Sequence, residues 1–292
     1  MPKGLREIRN RIKSVKSTGQ ITRAMQLVAS SKMKRAQDAA RAGRAYAELL
    51  GEILDTAQAK VGDFSHPLLT KRDVKVRGIL LVTPDKGMAG ALNGNLIRLA
   101  AEQKDAVFVC IGRKGAQALA RSGRKVLADF PVTDRANFAE VRPAAEYLLK
   151  AFSEGTVDTV EVLFAHFKNT MVQTPRVQQL LPADSLVAQA REFRAKLGLP
   201  EPKIEEDERD MLFEPSAAAI LNELPALFFK QAVHQAVLES KASEFSARMV
   251  AMKAATDNAK KIGAALSLEY NKARQAAITQ EILELTAGAA AQ

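Results

Sequence analysis

The sequence predicts an α/β protein: a long antiparallel coiled coil, built from the N- and C-terminal helices, with a central Rossmann-like open α/β sheet domain. Three observations predict it. From Gly4 to Val61 there is no proline, and apolar or small residues recur at steps of three and four. The C-terminal stretch repeats this spacing more cleanly. Between them the period shortens, and apolar runs of strand length alternate with helical patterns.

The N-terminal seam runs through Leu5, Ile8, Ile12, Val15, Thr18, Thr22, Met25, Ala29 and Met33, then on to Val61, with one irregular step at Val15–Thr18. A helix of that length would be a rod of roughly 85 Å. Globular helices are much shorter, so the pattern points to a coiled coil. The C-terminal helix is predicted to start near Pro225, in the first-turn position that proline favours. Its seam is Leu238, Ala242, Phe245, Met249, Met252, Thr256, Ala259, Gly263, Leu266, Tyr270, Ala273 and Ala277, with strictly alternating steps. A sustained 3.5-residue period makes a left-handed supercoil with another helix, and the other long helix in this chain is the N-terminal one. Small residues on both seams would let the two backbones approach closely.

The middle segment reads as strand Val76–Thr83, a glycine-rich turn, a helix from Leu92, strand Ala106–Gly112, and a helix through Ala120. A short strand "KVLADF" and helix Phe138–Phe152 follow. The strands "VDTVEVLFAHF" and "TMVQTPRVQQLLP" are too close together for a crossover helix, so they pair antiparallel. These readings divide the chain into an N-terminal helix (1–61), a central domain (74–183), an acidic connector (184–224) and a C-terminal helix (225–286).

The formal net charge is +10, and residues 1–35 hold ten Lys or Arg against the single acid Glu7. An acidic partner follows: nucleic acid, an anionic surface or an acidic protein. The one cysteine, Cys110, allows no internal disulfide and sits in an apolar strand. The basic N-terminus lacks the apolar core of a signal peptide and is read as part of the fold. No apolar run reaches the ~20 residues of a membrane span.

The turn "PDKGMAGALNGN" follows a strand and opens a helix, as phosphate-binding turns do, but it matches neither G-x-G-x-x-G nor the P-loop. Gly87, Gly90 and Gly94 are read as shaping a tight turn and letting the helix pack on the sheet. His66, His166 and His234 stand apart, with no metal-ligand spacing. No nucleophile–base pair or carboxylate pair forms a catalytic signature, so no catalytic, cofactor or metal residues are assigned.

"IRNRIKSVKSTGQITRAMQLVASSKMKRAQ" (Ile8–Gln37) resembles the N-terminal helix of the gamma subunit of rotary ATP synthases, bacterial type. "ASEFSARMVAMKAATDNAKKI" and "YNKARQAAITQEILEL" resemble its C-terminal helix. "TPDKGMAGALN" resembles the family's turn, with Thr83-Pro84 and Ala89 where Ser and Cys are usual. The resemblance implies a rotor shaft turning inside three alpha and three beta subunits, with the α/β domain as a foot on the epsilon subunit and the membrane c-ring. Proton flow would turn the ring, and the shaft would drive beta through its catalytic states. The subunit itself would couple and not catalyse, without cofactors, on the cytoplasmic face of the bacterial inner membrane. With one cysteine and no inserted pair, thiol switching is not implied.

Carried over by motif, Arg248, Arg274 and Gln275 match positions that contact the beta catch loop, with Thr279 and Glu281 beside them. Met25 matches the position facing an acidic lever segment of beta. Ile278, Ile282 and Leu285 would turn in an apolar bearing. Met211, Phe213 and Glu214 match the foot segment against the c-ring and epsilon, with Met211 where tyrosine sometimes stands. Two readings compete: a basic coiled coil that binds nucleic acid, and a dinucleotide-dependent enzyme on the central domain. Neither accounts for long helices at both ends of the chain.

Overall fold

In the computed structural model, which describes residues 3–61, 66–182 and 216–290, the long apolar spacing of each end becomes one helix. Helix α1 runs Lys3–Val61. Then follow β1 (Arg77–Val82), α2 (Leu92–Glu102), β2 (Ala106–Ile111), α3 (Arg113–Arg121), β3 (Val126–Phe130) and α4 (Phe138–Ser153). The hairpin β4 (Thr159–Phe167) and β5 (Gln173–Leu181) precedes the last helix, α5 (Ala217–Ala290).

Helix α5 starts well before Pro225. Ser216 Oγ accepts a hydrogen bond from the Ala219 amide at 3.2 Å, which is the N-cap geometry, and Pro225 lies inside the helix. A proline there removes one backbone hydrogen bond. Packing compensates, since Leu221, Leu224 and Phe229 are all buried. Proline suits a first turn, but the Ser216 cap, nine residues before Pro225, sets the start.

The sheet order is β3-β2-β1-β4-β5, parallel except for the antiparallel β4–β5 pair. Because successive residues face opposite sides, the central strands bury both faces. Leu80, Val82, Val109, Ile111, Val162 and Phe164 join α4 and residues Phe229, Val233 and Val237 of α5. Ile79, Leu81, Phe108, Cys110 and Leu163 pack with α2 and α3. Burial pushes the Cys110 thiol up to about 12, with Asp129 adding to the shift, so it is an inert side chain.

The chain divides into two units: Met1–Ser30 with Arg248–Gln292, and Ser31–Ala247. The first consists of the N-terminal part of α1 and the C-terminal part of α5. The second holds the sheet, α2 to α4, and the remaining parts of α1 and α5.

Candidate functional site

In the helical unit the seam residues set a definite register. An ideal Cβ built on Gly19 would stand 3.3 Å from Cβ of Ala259, and one on Gly263 would stand 3.9 Å from Val15. Thr22 Oγ1 lies 2.8 Å from Thr256 Oγ1. As one partner's number rises the other's falls, so the segments are antiparallel. The same steps carried outward set Leu266 against Ile12, Tyr270 against Ile8 and Ala273 against Leu5.

This register corrects one seam assignment. Thr18 is exposed, and its hydroxyl donates to the Ser14 carbonyl at 3.0 Å. Gly19 takes the inward place, followed by Thr22. The irregular step disappears, because Val15, Gly19 and Thr22 continue the alternation of four and three. Composition hid this, since a glycine scores as a breaker although here it permits contact.

The Thr22–Thr256 contact is a polar layer in an apolar seam. Thr256 Oγ1 is also 2.8 Å from the Met252 carbonyl, and Thr22 Oγ1 is 3.1 Å from that of Gly19. Two hydroxyl protons serve three contacts. Both short ones are satisfied when Thr22 donates to Thr256 and Thr256 donates to Met252. A polar pair of this kind penalises every register in which it is broken.

The residues singled out by motif fall into four groups. Met25, on the seam, is half-buried. Arg248 is only 9% exposed, so its guanidinium is largely covered within this chain. Arg274, Gln275, Thr279 and Glu281 are exposed, and the Thr279 hydroxyl is turned back to the Gln275 carbonyl at 3.0 Å. Met211, Phe213 and Glu214, with the acidic connector, lie outside the described residues.

The seam ends at Ala277, and from Ile278 to Ala287 every residue is exposed. Ile278 (47%), Ile282 (54%) and Leu285 (74%) share this stretch with Leu283 (60%), which the sequence reading passed over. It also missed Ile21, Leu27 and Val28 on α1, and Ile262 and Leu268 on α5, all at least half exposed. The available signal was that these apolar residues lie off the seam. A two-helix coiled coil leaves such residues uncovered.

In the sheet unit Asp85 of the glycine-rich turn, and Thr83 just before it, use their side chains internally. Asp85 Oδ1 accepts the Arg113 amide at 2.9 Å, at the start of α3, and Thr83 Oγ1 accepts the Gly115 amide at 2.9 Å. Gly90 adopts φ +59°, as the turn requires, but Cβ atoms on Gly87, Gly90 or Gly94 would meet nothing within 4 Å. The close approach of helix to strand falls instead to Gly112 and Gly115. A Cβ there would come within 1.8 Å of the Thr83 carbonyl and 2.7 Å of its hydroxyl, respectively. The glycines that permit packing are therefore those after β2.

Among the basic groups, Lys32 of α1 pairs with Asp134 and its ammonium lies 5.8 Å from the centre of the Phe245 ring. Burial pushes the Asp134 carboxyl up, and the lysines Lys32, Lys241 and Lys86 more than reverse this, leaving it below its usual value. His166 Nδ1 lies 3.2 Å from Glu239 Oε1, a pairing that no local spacing could reveal.

A family model described as ATP synthase matches residues 4–292. The chain is 52% identical to the ATP synthase gamma chain of Opitutus terrae over 97% of its length and 96% of that protein's. It is 42% identical to that of Ralstonia nicotianae, over 99% of each chain. Among solved structures, a chain of the Tetrahymena thermophila mitochondrial ATP synthase central stalk and c-ring matches with TM-score 0.57 and 25% identity, over 80% of this chain and 99% of that one. A chain of the Euglena gracilis mitochondrial enzyme has the same fold, at TM-score 0.65 and 20% identity over 100% of this chain and 95% of that one. With its antiparallel helix register and five-stranded sheet, the chain belongs to the ATP synthase gamma chain family.

Proposed function

We propose that this chain is the central rotor shaft of a proton-translocating ATP synthase, coupling rotation of a membrane c-ring to the conformational cycle of catalytic beta subunits. Its partners are three alpha and three beta subunits, the epsilon subunit and the c-ring. The chain carries no chemistry of its own. It sits peripherally, on the cytoplasmic face of the membrane, and no helix among the described residues is long and apolar enough to cross one.

One observation carries this reading beyond family membership. Helix α5 runs on past its seam and presents an exposed apolar tip from Ile278 to Leu285, shortly after the exposed polar pair Arg274 and Gln275. Such a tip needs a sleeve. The polar pair suits a contact that is made and released repeatedly. An exposed Arg–carboxylate pair contributes ~0–1 kcal/mol, and a partly shielded one at 4 Å roughly 4 kcal/mol before desolvation. A dry interface of obligate-dimer size would instead resist turning.

The test is affinity purification of the chain from its own cells, with identification of co-purifying subunits. Alpha, beta and epsilon subunits are expected. Recovery of the chain alone, or with nucleic acid, would overturn the proposal.

A further inference from the structure

Helix α5 is buried on every side between Ser240 and Ser246, although this stretch, "SKASEFS", is mostly polar. Lys241 and Glu244 are 5% and 4% exposed and pair with each other at 3.4 Å. Ser243 and Ser246 have no exposed surface at all. A helix enclosed this way in an apolar protein is normally apolar all round. Two of the polar residues here, Ser243 and Ser246, are spent on one neighbour.

That neighbour is the β4–β5 hairpin. Ser243 Oγ donates to the Ala165 carbonyl at 2.8 Å, and Ser246 Oγ donates to the Thr170 carbonyl at 2.8 Å. Gln173 Nε2 donates to Ser246 Oγ at 3.4 Å, and Glu239 faces His166 at 3.2 Å. Glu239, Ser243 and Ser246 stand at i, i+4 and i+7, a single face of α5. Along the hairpin the contacts cover both strands and the turn between them. Ala165 stands opposite Pro175, which has no amide hydrogen to offer. The turn is itself braced, since Asn169 Oδ1 accepts the amides of Met171 and Val172 at 2.9 Å each. Across α5, Phe245 and Ala242 pack with Ala36 and Met33 of α1 and with Phe167.

We propose that the β4–β5 hairpin is a torque clamp, holding α5 against turning about its own axis relative to the sheet. Apolar contacts of Phe229, Val233 and Val237 also bind α5 to the sheet. Burial of apolar area is non-directional, however, and a smooth helix face can slide over it. Directed hydrogen bonds from one face of a helix to fixed strand carbonyls cannot follow such a rotation, and break. Ser243 and Ser246 are thus positioning residues for coupling. The inference rests on the rotor reading, because a clamp against twist has a purpose only where the sheet and helix carry opposite ends of a load.

The experiment uses the assembled complex, with a bead attached to the sheet through Gln117→Cys on the exposed side of α3, so that load passes from the catalytic ring through α5 to the sheet. The Ser243→Ala/Ser246→Ala variant is expected to rotate a small bead at the wild-type rate and to slip under a large viscous bead. Ser246→Thr, which keeps the hydroxyl, should restore loaded rotation. Met252→Ala, a seam variant, should lower stability without any load-dependent loss. In the same complexes, amide exchange across 165–173 should quicken about ten-fold when the serine hydroxyls are removed. If the double variant does not assemble, the single variants Ser243→Ala and Ser246→Ala are read the same way, each with a smaller load-dependent loss. Wild-type torque at high load in an assembled clamp variant overturns the proposal. Failure of the wild-type chain to recover alpha and beta subunits would instead strike the rotor reading.

Discussion

Thr22 and Thr256 meet hydroxyl to hydroxyl at 2.8 Å, both less than a tenth exposed, beside the place where Gly19 and Ala259 bring two helices into contact. This layer ties the register to a specific pair of side chains. Thr256→Val leaves Thr22 able to turn to the Gly19 carbonyl, so the loss should be about 1 kcal/mol. Adding Thr22→Val should cost little more, and a double-mutant cycle in urea should show coupling of about 0.5–1.5 kcal/mol. Additive single effects would mean that the hydroxyls do not depend on each other.

Gly19 should tolerate alanine and reject larger residues. An added Cβ stands 3.3 Å from Ala259, which a shift of a few tenths of an ångström relieves. The gain in helix propensity, about 1 kcal/mol, offsets that shift. Gly19→Val has no such escape and should lose about 1–3 kcal/mol through overpacking. Ala259→Gly should recover part of it. Equal melting midpoints for the valine and alanine variants would show that the helices are not in close contact here.

Arg248 and Arg274 should separate in their effects. Arg274 is exposed, so Arg274→Ala should leave the melting temperature unchanged and reduce ATP-driven proton pumping in the complex. Arg248 is 9% exposed, and its truncation empties covered space and should lower stability by about 1–3 kcal/mol. The comparison of melting curves with pumping rates decides. Loss of stability in the Arg274 variant would contradict its assignment to a partner surface.

The exposed tip should be replaceable without harm to the fold. Ile278→Ser/Ile282→Ser/Leu285→Ser is expected to melt with wild type, because these side chains bury little in the chain itself. It should assemble less stably with alpha and beta subunits, as read by dissociation of the purified complex on dilution. Unchanged complex lifetime would remove the case for an apolar bearing.

Stability should fall on acidification below pH ~6.5, and His234 should contribute to the slope. Burial lowers the His234 pKa from 6.5, more than the hydrogen bond of its Nε2 to the Ala136 carbonyl raises it. The folded chain therefore prefers neutral imidazole, while the unfolded chain takes up a proton near pH 6.5. Stability is fully present above that value and is lost as the pH drops through the lower, folded-state pKa. His66 is lowered by burial too, so His234→Gln should flatten the slope between pH 7.5 and 5 without abolishing it. An unaltered slope would place the proton uptake elsewhere.

Much of this fold was legible because it rests on repetition. The alternating steps from Leu238 to Ala277 are one-dimensional information, and each of those residues is buried or half-buried. The strands were visible as apolar runs, and β4–β5 as a pair too close for a crossover. Thr18 was misassigned because a hydroxyl scores above a glycine in an apolar pattern, whereas contact between helices rewards the absence of a side chain. Pro225 was misread for a similar reason. A proline marks where a helix can start, and the Ser216 cap with the packing of Leu221 and Leu224 decides where this one does. Among the residues proposed to meet partners, Arg274, Gln275 and the apolar tip were legible as exposed, since the seam passes them by.

The sequence by itself determined the two long helices, their antiparallel pairing, the mostly parallel sheet between them and the family to which its motifs point. Period and chain order carry those properties, and neither needs distant residues to be known. Tertiary structure alone decided the burial of Arg248, the Thr22–Thr256 register layer and the seating of Ser243 and Ser246 on β4–β5. These depend on groups that stand tens to hundreds of residues apart in the chain. A directed contact of 2.8 Å exists only once both backbones are in place, and no local pattern records which distant carbonyl a serine will meet.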